Sequence, residues 1–232
     1  MGWMLLAACA TAPAAPPQAG AADGRLLAAL RSKLPIDPIP LERDPYETRR
    51  WREPPRVLAG TVCGIRFEED LVRYRLATFA STGEARGAGF AVTHTGACGT
   101  CSTLQDLAVY LETPDLTAPV RRCGMLPSGS AGLACLEALG FTTACARIWL
   151  FDAVNTRRAC FAPCVVSWIE GEPSADAGGR LNRCLQCDED RSGPVFKAIA
   201  GRTRRNSGIR SSIPRPDEEV AHVVHDYVPG AR

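Results

Sequence analysis

The residues best placed to do chemistry are Cys98, Cys101 and His94, in the run Thr93-His94-Thr95-Gly96-Ala97-Cys98-Gly99-Thr100-Cys101-Ser102. The run follows a predicted strand and precedes a predicted helix. A thiol at a helix N-terminus faces unpaired backbone N–H groups and the positive end of the helix dipole, which stabilise the thiolate and lower its pKa. On this pattern Cys98 attacks, Cys101 resolves and His94 takes the proton, which is thiol–disulfide exchange. Cys184 and Cys187 repeat the spacing, just before Asp188-Glu189-Asp190. Together the four thiols form an alternative metal set, a zinc site of Cys184 and Cys187 with Cys98 and Cys101. Arg202, Arg204, Arg205 and Arg210 crowd a loop with no acid beside them. Guanidinium forks bind carboxylate, phosphate or sulfate, so this loop is a candidate anion-binding site. Its simpler reading is a solvated loop paired with residues 188–190. His222 and His225, three apart on a predicted last helix, are a weaker chelating pair.

Two motifs carry family resemblances. Cys98-Gly99-Thr100-Cys101 resembles the redox motif of thioredoxin-like proteins, over those four residues and the helix behind them; the resemblance implies a thiol or disulfide substrate. Leu6-Ala7-Ala8-Cys9 resembles the lipobox of bacterial lipoprotein precursors. That resemblance implies that Cys9 is lipidated and tethers the chain to the periplasmic face of a membrane. The Ala/Pro-rich segment behind it suits a flexible tether.

The chain holds 11 cysteines in 232 residues. With Cys9 set aside an even number remains, as export and disulfide pairing require. Cys160 and Cys164 lie four apart, on one helix face. Cys135 and Cys145 flank Gly140 and are expected to bridge two antiparallel helices. Cys63 and Cys123 have no near neighbour and imply long-range bridges. These six read as staples. With one or both CxxC pairs kept for a site, three or four bridges are expected.

These residues need elements to position them. Val72, Tyr74 and Leu76 alternate with Arg73, Arg75 and Ala77, the pattern of a half-buried strand. Residues 61–67 and 89–94 are its expected partners, with Gly83, Gly87 and Gly89 at turns. Helices are expected over 25–33, from Ser102 (capped with Gln105) to Leu111, and over 130–139, 143–158, 179–190, 194–200 and 217–226. Pro163 is expected to break or kink the helix over 143–158. The fold class is α+β: a small antiparallel sheet followed by a mostly helical cysteine-rich body, stapled by disulfides. The expected divisions are 1–9 signal remnant, 10–24 linker, 25–55 irregular arm pinned by Tyr46 and Trp51, and 56–232 a single domain.

Bulk composition excludes little. With 27 basic and 25 acidic side chains, nothing suggests a nucleic-acid partner. No run reaches the roughly 18 apolar residues that span a bilayer. The expected function is an extracytoplasmic, membrane-tethered lipoprotein with a binding or scaffolding role and no cofactor. The alternatives are an oxidoreductase using Cys98 and Cys101, a small-molecule or zinc enzyme with a Cys/His/Arg site, and, for location, the cytoplasm. A small anionic ligand or a thiol substrate is the expected soluble partner.

Overall fold

The computed structural model describes residues 23–47, 59–214 and 216–230. Cys9, the linker up to residue 22, Trp51 and the expected domain start at Arg56 lie outside the described residues. Helix α1 (Gly24–Arg31) opens on Asp23, whose carboxylate accepts the Arg25 N–H. It lays Leu27 and Leu30 into the main core, against α3 (Leu104–Glu112).

Four strands follow in the spatial order β1-β3-β2-β4: β1 (Leu34–Pro35), β2 (Val62–Phe67), β3 (Arg73–Phe79) and β4 (Ala91–Thr95). β2 is antiparallel to both neighbours, whereas β1 pairs parallel to β3. The sheet is therefore mixed at one edge. Two residues ending in proline carry no period-2 signal, and proline is tolerated at an edge. In β3 the alternation holds: Tyr74 is buried, and Arg73 and Arg75 face outward to Asp70 and Glu68. The Tyr74 hydroxyl accepts the Leu104 N–H and so fixes the start of α3 against the sheet.

The turn expected between β3 and β4 is instead helix α2 (Thr82–Gly87). Ser81 accepts the Glu84 N–H and Glu84 accepts the Ala80 N–H, a reciprocal cap that outweighs the two glycines. The cap of α3 is Thr103, one residue later than expected, because Ser102 is committed to His94 and Gly99. Gln105 reaches the Gly140 carbonyl.

The helical body continues through α4 (Thr117–Gly124), α5 (Gly129–Ala138), α6 (Thr143–Ala159), α7 (Phe161–Ile169), α8 (Arg183–Arg191) and α9 (Gly193–Ala200). α4 has no counterpart among the expected helices, and it contains Pro119. That proline sits in the first turn, where its missing N–H costs nothing. Pro163 has the same place in α7, so it starts a helix, and the break falls at Cys160. The helix expected from Gly179 begins at Arg183, capped by Asn182. The one expected over 217–226 is only a 3₁₀ turn, Asp217–Glu219, followed by extended chain. There Ala221 donates to the Arg205 carbonyl and His225 is drawn onto Ser207, bonds that a helix would break.

Ten cysteines form five bridges: Cys63–Cys98, Cys101–Cys145, Cys123–Cys135, Cys160–Cys187 and Cys164–Cys184. Cys135 and Cys145 do not pair with each other. Cys135 instead meets Cys123 on α4, and Cys145 meets Cys101 in the turn before α3. Five disulfides mark an oxidising, extracytoplasmic compartment. Among the described residues no helix is long and apolar enough to cross a membrane.

Non-reducing peptide mapping should return these five linked pairs; a peptide joining Cys98 to Cys101 would contradict the fold. Replacing Cys101 and Cys145 together by alanine should lower unfolding stability by about 3–4 kcal/mol, read from the urea midpoint.

Candidate functional site

The run that carried the thiol chemistry is a backbone junction. The N–H groups of Thr100 and Cys101 donate to the Ile199 and Ala200 carbonyls at 2.9 Å each, capping the end of α9. Gly99 lies directly against Gly201: a Cβ on either would overlap the other's backbone or its neighbours. Gly201 also has φ +71°, a left-handed conformation that favours glycine. Gly99 therefore serves close approach. Cys98 and Cys101 point to different partners, Cys63 on β2 and Cys145 on α6. The geometry is that of two staples rather than of an exchanging pair.

After Gly201 the chain turns Arg202 inward, where it is fully buried. Its guanidinium donates to the carbonyls of Cys101 (3.1 Å), Thr93 (3.2 Å) and Ser102 (3.2 Å) and to the Ser207 hydroxyl (3.2 Å). Among the described residues no carboxylate pairs with it. His94 lies beside this cation, equally buried. Its Nδ1–H donates to the Thr95 carbonyl, so Nε2 must accept, and it takes the Ser102 hydroxyl proton at 2.8 Å. Ser102 in turn accepts the Gly99 N–H. This is the bonding order of a serine nucleophile and its base, but neither side chain reaches solvent. Burial, helped by Arg202, holds the His94 pKa well below the ordinary value, so the ring is neutral. Asp106 closes the knot from the other side. Its carboxylate accepts from Thr103 and Thr142, the N-caps of α3 and α6, and burial lifts it to about 6.

The remaining arginines of the loop are also spent. Arg204 donates to the Tyr110 and Thr113 carbonyls, Arg205 pairs with Glu189 and Glu219, and Arg210 pairs with Asp217. The expected anion loop is thus tied into the chain by its own partners, and one of its pairings is with the 188–190 acids. Cys184 and Cys187 bond Cys164 and Cys160 and are not near Cys98 and Cys101 as a thiolate set. Among the described residues no group of three or more His, Cys, Asp and Glu is arranged to hold a metal. His222 and His225 share no helix; His225 donates to the Ser207 carbonyl and accepts from Tyr227.

The open site lies elsewhere. A cleft of about 830 Å³ runs between α4, α6, α7, α8, α9 and residues 203–213. Its floor is one stripe of α6: Trp149, Asp152, Ala153 and Thr156, at the i, i+3, i+4, i+7 spacing of a single helix face. α7 adds Phe161, Val165 and Trp168, and α8 adds Asp188 and Glu189. The two bridges Cys160–Cys187 and Cys164–Cys184 clamp α7 to α8 and fix that wall. Trp149 stacks near Phe196 at 4.6 Å between ring centres, and Phe141 and Tyr110 pack behind. At the rim Trp168 is 77% and Phe161 66% exposed. Two buried polar atoms, Tyr110 Oη and Trp149 Nε1, lie close to one another, and neither meets any other polar group among the described residues.

Asp152 and Asp188 form the polar end. Tyr46 donates to Asp152 at 2.8 Å and shares its proton with the Ser192 carbonyl. Thr156 donates to Asp188 and meets the Ser192 hydroxyl. Burial raises both carboxyls, and each is further disfavoured as an anion by acidic neighbours: Asp152 by Asp188, and Asp188 by Glu189. Sequence reasoning missed this site. The signal was Asp152 alone in an otherwise apolar stretch of α6.

Arg202→Met keeps the length but strands four acceptors; stability should fall by about 3 kcal/mol or more, read from urea unfolding. His225 is lowered to about 4 by burial, then Arg202. Its contribution is full above the unfolded value near 6.5 and is lost as pH falls toward about 4. Asp106 works oppositely, losing its contribution as pH rises through about 6. His225→Gln should therefore show a shallower loss of stability from pH 6.5 down to about 4 than the parent, with the Asp106 effect common to both. Parallel curves would refute the assignment.

Over residues 129–223, from α5 through the arginine loop, the chain is similar to a family described as "Family of unknown function (DUF8771)". The matched stretch supplies α6 to α9 and so most of the cleft wall. No curated protein and no solved structure matches the chain.

Proposed function

We propose that the chain is a lipoprotein, tethered through Cys9, whose extracytoplasmic domain binds a small, partly apolar ligand in the α6–α9 cleft. The tether rests on the Leu6-Ala7-Ala8-Cys9 motif and on an oxidising compartment that fits export. Binding is favoured over scaffolding by one observation: the open cleft is walled by Trp149, Phe161, Val165 and Trp168 and closes on two carboxyls, Asp152 and Asp188, that pair with no cation among the described residues. Ligand sites are mostly apolar cavities with a few convergent polar groups, and this cleft has that composition.

N-phenyl-1-naphthylamine, a neutral apolar dye, should bind saturably with one site per chain. Trp168→Ala and Phe161→Ala should each weaken it roughly tenfold, about 1.4 kcal/mol. The unfolding midpoint should not move, because both rings are exposed. Unsaturable binding, or affinities indifferent to both substitutions, would reject the cleft as a site. Palmitate incorporation in a bacterial host should occur in the parent and vanish in Cys9→Ser; labelling that persists would remove the anchor assignment.

A further inference from the structure

The carboxyl pair gives the ligand a chemical class. Asp152 is only 7% exposed and lines the cleft with Asp188. Their hydrogen-bond partners are the neutral hydroxyls of Tyr46 and Thr156. Neither carboxyl forms an ion pair among the described residues. The cations around them are engaged elsewhere. Lys197 on α9 pairs with Glu189 at 2.5 Å, and Arg205 pairs with Glu189 and Glu219. Arg157 donates to the Gly124 carbonyl, and Arg204 to the Tyr110 and Thr113 carbonyls. Lys197, the cation that faces the carboxyls, is thus satisfied by Glu189; Arg121, exposed on α4, has no acidic partner among the described residues, and neither carboxyl has a cation.

The surroundings complete the pattern. Trp149 lies one helical turn before Asp152, and Phe196 lies against it. Tyr110 lines the same cleft with its ring beside Trp149. Aromatic faces beside carboxylates attract organic ammonium groups, through the ring quadrupole and through direct pairing.

Building on the cleft as a binding site, we propose that its ligand is an organic cation. The ligand has an apolar body lying along Trp149 and Trp168, and an ammonium seated against Asp152 and Asp188. The two carboxyls face Tyr46 and, behind it, Asp44 from the arm; Thr156 from α6; Glu189 from α8; and Lys197 from α9. In the free protein burial keeps Asp152 protonated well above the usual carboxylate range. The entering ammonium keeps its own protons. The Asp152 O–H proton leaves to the buffer, and the ion pair forms in its place. Affinity therefore rises with pH below the pKa of the amine itself.

Octylammonium, octanol and octanoate, equal in chain length, discriminate by charge. Calorimetry at pH 6 should show octylammonium binding at least tenfold more tightly than octanol, with octanoate weakest. Repeating the titration in buffers of different ionisation enthalpy should reveal proton release, absent in Asp152→Asn. Asp188→Asn, at a less buried position, should reduce the preference for octylammonium over octanol, and it guards against a folding defect in Asp152→Asn. Equal binding of octanol, tighter octanoate, or a preference unchanged in Asp188→Asn would overturn the cation assignment while leaving the cleft intact. Failure of all three ligands while the neutral dye still binds would also overturn it. Failure of the dye as well would remove the cleft reading itself.

Discussion

Arg202 is a permanent charge sealed in the protein without a carboxylate against it. A desolvated guanidinium survives only where fixed dipoles replace its water. Here the dipoles are three backbone carbonyls and one hydroxyl, drawn from β4, the Cys98–Cys101 loop and the turn at Ser207. Each of those segments must hold its place for the charge to be tolerated. The same bonds dock the sheet to the end of α9, so the architecture on both sides hangs on this junction. Gly99 and Gly201 make it sterically possible; the bridges from Cys98 and Cys101 hold it shut.

That junction explains why the two cysteines most suggestive of redox chemistry do not pair with each other in this fold. Cys98 and Cys101 are three positions apart in sequence but diverge, one toward the sheet and one toward α6. His94 has the tautomer and partner of a catalytic base, yet it is enclosed. Its neutrality follows from burial next to a cation, the environment that most disfavours an imidazolium.

The cleft is the counterpart of this closed centre. The junction anchors α9, and α9 carries Phe196 and Lys197 to the cleft. The Asp106 knot ties α6, by its N-terminus, to α3. α7 and α8 carry no such knot and are joined by two disulfides. A wall held covalently can keep aromatic surface exposed and carboxyls desolvated, features that weaken an ordinary core. The two carboxyls without a cation thus sit where rigid elements surround open space.

Local pattern alone determined a good deal. β2, β3, β4, α5, α6 and α9 follow from apolar periodicity within each segment, and export follows from the cysteine count. α2 and α4 were hidden because glycine and proline read as breakers, although a cap or a first-turn position removes their cost. The C-terminal helix failed because long-range bonds to Arg205 and Ser207 claimed its backbone. Disulfide pairing, the burial of Arg202 and the meeting of Asp152 with Asp188 could be decided only by tertiary structure. Each depends on which helix faces touch, and residues dozens of positions apart carry no sequence trace of their contact.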